Sequence, residues 1–195
     1  MAATRTRRQG NTAERILDVA ERLVQSRGFN GFSYANVAAE LDITTARLHY
    51  HFPGKAELGE ALIVRYATRF AGALEQIDGA LTDAPGKLDA YAGLYADVLR
   101  GKRMCLCGIL AAEYETLPEP MREAVVRFFD DNVAWLTGVL AEGRAAGTLS
   151  FEGSAGEAAE SILSALEGAM LVARPYGDLA RFQSAAARLL SALAT

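Results

Sequence analysis

Apolar residues recur along most of this chain at intervals of three and four, the period that gathers them on one face of an α-helix. Ile16, Leu17, Ala20, Leu23 and Val24 form the first such stripe. Asn11-Thr12-Ala13-Glu14 ahead of it has the form of a capping box and predicts a helix start near Asn11. Gly28 stops this helix, and Phe29 and Phe32 flank Gly31 in a turn whose rings tuck into the core. Ser33 is a natural N-cap for a short second helix to Glu40 or Leu41, with Val37, Ala38 and Leu41 as its apolar face. After a break at Leu41-Asp42-Ile43, Thr44 caps a third helix that runs through about Tyr50 and ends at Pro53-Gly54.

Two short helices joined by a tight turn behind a longer supporting helix describe a helix-turn-helix unit. The third helix has few apolar positions: Leu48 faces in and Phe52 closes its end, while Thr44, Thr45, Arg47, His49, Tyr50 and His51 leave most of its surface polar. A core helix is not built this way, whereas a helix lying in a DNA groove is. Six longer helices are predicted beyond Lys55, at roughly 56–80, 86–101, 103–117, 120–146, 154–173 and 178–194, with breaks at Pro85-Gly86, Pro118-Glu119-Pro120, Gly147 and Pro175 with Gly177. Ser154-Ala155-Gly156-Glu157 is a second capping box.

The last two helices are unusually apolar, through Ala158, Ile162, Leu163, Leu166 and Met170, then Leu179, Phe182, Leu189, Leu190 and Leu193. Ala165, Gly168 and Ala169 between them are small enough to let another helix approach closely. A chain this short has little interior left to cover both faces, so pairing of these helices with their copies in a second subunit is the expectation. The fold class is therefore all-α: an N-terminal three-helix helix-turn-helix domain over 1–55 and a helical dimerisation bundle over 56–195.

Composition agrees. Of the 195 residues, 51% are hydrophobic, only 8% aromatic and 5 are Pro, a balance that favours helices over a β-sandwich. Met104 to Ala112, the longest uncharged run in the middle of the chain, is far short of the roughly 18 residues a membrane span needs. No apolar stretch follows Arg5, Arg7 and Arg8, so a secretory signal is not expected, and the location expected is the cytoplasm. The net charge of -4 hides an asymmetry. Residues 1–55 hold 8 cationic against 5 anionic side chains, and the remaining 140 hold 12 against 19. A basic head on an acidic body suggests that the head meets a polyanion.

Leu41-Asp42-Ile43-Thr44-Thr45-Ala46-Arg47-Leu48-His49-Tyr50-His51-Phe52-Pro53-Gly54-Lys55 resembles the DNA-binding signature of TetR-family transcriptional regulators. The similarity extends upstream through Ile16 to Ala20, Gly28-Phe29 and Ser33 to Val37-Ala38, about 50 residues in all. It implies a homodimer bound to double-stranded operator DNA, a repressor released when a small-molecule effector occupies the C-terminal domain. Three positions depart from the pattern: Asp42 stands where the family usually has Gly, His49 where Tyr is commonest, and Arg47 where a small residue or Thr is usual. Asp tolerates the left-handed conformation a Gly would hold, so the turn should survive; the operator sequence is what these changes put in doubt.

Residue chemistry divides the DNA-binding candidates. Ser33, His49, Tyr50, His51 and Lys55 suit phosphate oxygens, while Thr44, Thr45, Ala46 and Arg47 on the first turn of the third helix suit major-groove edges. Arg5, Arg7 and Arg8 form a disordered basic arm, either adding phosphate or minor-groove contacts or simply solvated.

The acidic body carries no phosphate-binding loop, dinucleotide motif, metal-ligand cluster or nucleophile-base pair, so no catalysis, cofactor or metal is expected. Tyr66, Phe70, Tyr91, Tyr95, Cys107, Tyr114, Phe128 and Trp135 are the candidate effector-pocket residues, most of them equally at home in a core. Met104 and Tyr176 are further aromatic or soft positions of the same kind. The two cysteines, Cys105 and Cys107, point about 200° apart on a helix and cannot bridge each other, so one is expected to face the bundle and the other a neighbouring helix or solvent. They are either small buried hydrophobes or, if Lys102 or Arg103 activates one, a sensor of oxidants or electrophiles. Outside regulation, the rival reading is an enzyme or carrier that kept the helix-turn-helix as scaffolding.

Overall fold

The computed structural model describes residues 2–194, with side chains from Thr12 onward. The helix start expected near Asn11 is not seen: α-helix runs unbroken through that position from Ala2, so the stretch carrying Arg5, Arg7 and Arg8 is helical in backbone, while their side chains lie outside the described ones. Among the described residues nine α-helices and two 3-10 turns make up the fold, and the one β-type pairing is an isolated bridge between Leu149 and Ala194. The helices are α1 (Ala2–Arg27), α2 (Tyr34–Leu41), α3 (Thr45–His51), α4 (Lys55–Ala80), α5 (Ala84–Arg100), α6 (Leu106–Ala112), α7 (Glu119–Ala145), α8 (Ala155–Ala173) and α9 (Leu179–Ser191).

The chain forms two compact units. The first combines Met1–Tyr66 with Leu106–Val125, the second Ala67–Cys105 with Val126–Thr195. In the first, Ile16, Ala20, Leu23 and Val24 of α1 are buried, with Val37 and Ala38 of α2, Leu48 of α3 and Leu58 and Leu62 of α4. This is the helical stripe read from the sequence, now facing inward. In the second, Leu88, Tyr91 and Tyr95 of α5, Leu136 and Leu140 of α7, Leu163, Leu166 and Met170 of α8 and Phe182 of α9 fill the interior.

Two local departures from the expected helices have clear physical causes. Where one helix over 103–117 was expected, α6 covers only Leu106–Ala112 and a 3-10 turn follows at Tyr114–Thr116. The chain leaves the helix because Glu113 has other work: its carboxylate accepts from the backbone N–H groups of Phe29 at 2.6 Å and Asn30 at 3.3 Å. Asn30 Nδ2 also donates to Thr116 Oγ1 at 2.8 Å. These bonds hold the loop after α1 and explain why a segment more than eighty residues downstream belongs to the first unit. Gly28, at φ 86°, sits against the Glu113 carboxylate, where a Cβ would lie 2.5 Å from Oε1.

The second departure is at the cysteines. Cys105 precedes α6 and Cys107 lies in its first turn, and both are buried, at 1% and 0% exposure. Neither thiol faces solvent, and the two do not share one helix as expected from the sequence, since Cys105 lies before α6. The reason is that α5 ends in a left-handed turn at Lys102, φ 56°, and the chain re-enters the core before α6 begins.

Candidate nucleic-acid interface and effector site

α3 is positioned by its two ends. Asp42 ends α2 in the left-handed conformation, φ 53°, and Ile43 N–H bonds back to Ala38 O at 3.0 Å, so Asp serves where the family usually has Gly. Thr44 then caps α3, its Oγ1 accepting from Arg47 N–H at 3.2 Å. At the far end Tyr34 donates its hydroxyl to Phe52 O at 2.9 Å and Gly54 O at 2.5 Å. Burial, with Glu57 nearby, pushes the Tyr34 phenol up to about 12, so it stays a donor throughout the ordinary pH range.

Leu48 alone on α3 is fully buried. Thr44, Thr45, Ala46, Arg47, His49 and Tyr50 are all exposed, and α3 carries no carboxylate. Tyr50 is 69% exposed, its ring edge-on to His51 at 5.3 Å. Burial, then the nearby Arg47 charge, lowers the pKa of His51, which makes it a neutral hydrogen-bonding group at neutral pH.

The remaining candidates have internal partners. Ser33 caps α2, its N–H and hydroxyl both directed to Asn36 Oδ1 at 2.8 and 3.0 Å. Arg47 reaches back toward Thr12, with its guanidinium 3.4 Å from Oγ1. His49 Nδ1 lies 2.9 Å from Pro53 O, its ring 4.7 Å from that of Tyr34. A carbonyl oxygen can only accept, so Nδ1 is the donor in this contact. Lys55 is the most committed: its Nζ donates to Phe29 O and to Phe32 O and sits 4.6 and 4.4 Å from the two ring centroids. Burial lowers the Lys55 pKa while Glu113 opposes the effect. Lys55 thus ties the start of α4 to the loop between α1 and α2, a role its sequence context did not announce.

The effector candidates divide between the units. Tyr66, Cys107 and Tyr114 belong to the first; Tyr66 and Cys107 are buried, and Tyr114 is 36% exposed beneath the Arg122 guanidinium at 5.8 Å. Phe70, Tyr91, Tyr95, Phe128 and Trp135 come together in the second. Phe70 packs edge-on against Tyr91, Tyr95 and Phe128 at 6.0, 6.1 and 5.3 Å, and Tyr91 stacks on Trp135 at 5.5 Å. Polar atoms thread this cluster. Tyr91 donates to Asn132 Oδ1 at 3.0 Å, so the 3.1 Å contact between the two phenols has Tyr95 donating to Tyr91. Trp135 Nε1 donates to Asp78 Oδ2 at 2.9 Å, and Asp78 pairs with Lys87 at 2.8 Å.

Glu167 was missed. It lies on α8 at core spacing, four residues after Leu163 and three before Met170, and helical periodicity was the signal that could have found it. Cys105 donates its thiol to the Glu167 carboxyl, and burial pushes that carboxyl up to about 7. Glu167 Oε1 is sealed from solvent without a hydrogen-bond partner. Tyr91 and Tyr95 are near enough to feel its charge, their phenols raised first by burial and further by it.

The profile described as "Bacterial regulatory proteins, tetR family" matches residues 16–62, and "Tetracyclin repressor-like, C-terminal domain" matches 85–189. The chain belongs to the TetR family. A TetR-family regulator from Agrobacterium tumefaciens superposes with TM-score 0.93 at 32% identity, over 96% of this chain and 100% of the other. A TetR regulator from Legionella pneumophila gives 0.82 at 30%, over 92% and 96%. The HTH-type transcriptional repressor NemR of Escherichia coli strain K12 is 24% identical over 192 residues, 95% of each chain; its reduced form superposes with TM-score 0.81 over 94% and 98%. This TetR-family chain is accordingly a DNA-binding transcriptional regulator with an N-terminal helix-turn-helix, and no described helix is long and apolar enough to cross a membrane.

Proposed function

We infer that this TetR-family member is a cytoplasmic homodimeric repressor, not an enzyme, released from its operator when a small molecule occupies the C-terminal part of the chain. Residues 1–55 would bind DNA and residues 56–195 the effector. The observation that carries the DNA-binding assignment is the make-up of α3, whose exposed residues are donors, acceptors and a methyl group without a carboxylate. Thr44, Thr45, Ala46 and Arg47 read base edges on this account, while Ser33, His49, Tyr50, His51 and Lys55 approach the backbone. The name of the E. coli relative supports repression.

α8 supports the homodimer. From Ser161 onward its outward face, Ser161, Ser164, Ala165, Gly168, Leu171 and Val172, follows one helical stripe without charge; the exposed Glu157 and Glu160 lie on the same stripe nearer the start of the helix. Leu171 and Val172 are 60% and 57% exposed. The apolar residues noted in the sequence turn inward, while two of the small ones, Ala165 and Gly168, lie on this outer face, as close helix pairing requires.

The test is selection of bound fragments from host genomic DNA, followed by a salt titration. A short palindrome, bound with a steep loss of affinity as salt rises, is the expected result; recovery of nothing above random DNA would overturn the reading. Arg47→Ala should relax sequence preference by about 1–3 kcal/mol if Arg47 takes a guanine in bidentate fashion. Equal losses on specific and random duplexes would count against that role.

The second reading, a redox- or electrophile-sensing repressor acting through Cys105 or Cys107, draws on the hydrogen bond from the Cys105 thiol to the Glu167 carboxyl, which gives the thiol proton an acceptor if an electrophile attacks the sulfur. Treating wild type, Cys105→Ser and Cys107→Ser with a thiol-reactive electrophile separates the two: loss of operator release in one serine variant supports the sensor.

A further inference from the structure

The second unit contains a cavity of about 590 Å3, half open, between the C-terminal end of α5 and the connection from α8 to α9. Its volume is in the range of small-molecule sites. Four cationic side chains line it: Arg100, Lys102, Arg103 and Arg174. The unit as a whole is acidic, with 10 cationic and 13 anionic side chains, so two-fifths of its positive charge is gathered at one opening. Arg181 adds a fifth cation at the edge, its guanidinium 4.1 Å from the Tyr176 ring centroid.

Two carboxylates stand near these four cations, so positive charge still exceeds negative at this opening. Asp178 lines the cavity but caps α9, accepting from the N–H groups of Ala180 at 3.0 Å and Arg181 at 3.4 Å. Asp97 pairs with Arg100. Like charges held around a concave, partly desolvated surface repel more strongly than they would in open water, and an anion placed among them removes that cost. The rest of the lining is apolar, through Leu99, Ala173 and Leu179.

Lys102 supplies an independent observation. It occupies the position after the α5 cap, with Arg103 N–H bonded to Val98 O at 3.1 Å and Lys102 N–H to Leu99 O at 2.8 Å. That turn requires the left-handed backbone that glycine adopts freely and lysine does not. A lysine is nevertheless present, at φ 56°, among the residues that line the cavity. Backbone strain retained at a cavity rim is a mark of function.

We propose that this cavity binds a soluble organic anion, its carboxylate or phosphate held by Lys102, Arg100 and Arg174 and its apolar body resting on Leu99, Ala173 and Leu179. Occupancy would make it an effector site, a consequence that rests on the ligand-responsive reading above; binding itself does not.

Isothermal titration of the full-length protein without DNA tests the site. The probes are 2-naphthoate, naphthyl phosphate, the neutral 2-naphthamide and inorganic phosphate. Both organic anions should bind, with naphthamide and inorganic phosphate each weaker by about tenfold or more, as expected for loss of a charge-assisted contact or of the apolar one. Lys102→Gly relieves the backbone and so should fold at least as stably as wild type, yet bind the anions about tenfold more weakly. Arg174→Gln, checked by melting temperature, should do the same. No binding of either organic anion at millimolar concentration, equal binding of the amide, equal binding of inorganic phosphate, or unchanged affinity in Lys102→Gly would each overturn the proposal. Because the titration omits DNA, a failed operator search leaves its outcome standing. Operator release by a bound anion is measured separately.

Discussion

In the first unit the Arg65 guanidinium meets three carboxylates of α1, Glu14 at 3.2 Å, Asp18 at 2.8 Å and Glu21 at 2.8 Å, and the Lys55 ammonium meets two carbonyls. In the second, the Glu167 carboxyl receives a thiol donor on one side and leaves Oε1 sealed without a partner. Burial works against the charge of both Arg65 and Glu167, but the hydrogen bonds Arg65 donates to Glu21, Asp18 and Glu14, with the Glu21 charge, more than offset it for Arg65, whose pKa is raised, while for Glu167 burial prevails. The first arrangement fixes a frame: α1 and α4 are riveted, so α3 can be presented at one angle. Each arrangement leaves one buried polar atom without a hydrogen-bond partner, Arg65 Nε and Glu167 Oε1. The difference is that three carboxylates meet the Arg65 charge, whereas burial keeps the Glu167 carboxyl neutral longer, so a proton or a polar ligand changes the energy most at Glu167.

This contrast is broken most sharply at Arg65. Glu21 is 7% exposed and Arg65 15%, so Arg65→Met strands a buried carboxylate, for which losses of about 3–5 kcal/mol are usual. Urea unfolding should show it in full; a loss below about 1 kcal/mol would mean that the three pairs act as ordinary surface contacts.

Glu167 comes next, with a pH signature. Its folded pKa of about 7 exceeds the ordinary 4.5, so the folded state holds the proton more tightly than the unfolded one. The stability contributed by the neutral form is complete below pH 4.5 and is lost as pH rises through about 7. The full loss corresponds to about 3 kcal/mol. Glu167→Gln keeps a neutral side chain of the same shape facing Cys105, Tyr91 and Tyr95. It should be more stable than wild type at pH 8 and no more stable at pH 4. A stability difference that stays constant between those two values refutes a buried titrating carboxyl.

The same contrast explains what could be read in advance. The helix-turn-helix was legible because its determinants are local: the stripe from Ile16 to Val24, the Thr44 cap, the left-handed Asp42 and the lone inward Leu48 are all set by neighbours within four residues. The aromatic cluster was legible as a set of residue types but not as a set of contacts. Phe70, Tyr91 and Phe128 meet across three helices, and nothing in their spacing separates them from Tyr66 or Tyr114, which lie in the other unit. Glu113 was illegible because its partners, the Phe29 and Asn30 amides, lie more than eighty residues away. The short α6 follows from the same long-range bond, so a pattern that reads as one continuous helix over 103–117 stops early.

Lys55 gives the smallest effect and the finest distinction, because one side chain bears both a structural and a DNA-facing expectation. Lys55→Met keeps the stem against Phe29 and Phe32 but removes two donors from their carbonyls. Loss of charged hydrogen bonds at a part-buried site costs about 2 kcal/mol, which guanidinium unfolding should register. If Lys55 also approaches the phosphate backbone, the variant should lose affinity equally on specific and random duplexes, and the slope of log affinity against log salt should fall by about one. A stability loss with an unchanged salt slope would assign the ammonium wholly to the loop between α1 and α2. An unchanged stability with a reduced slope would instead mean that those carbonyls are satisfied as well by water. The first unit would then be less tightly tied at this end than at Arg65.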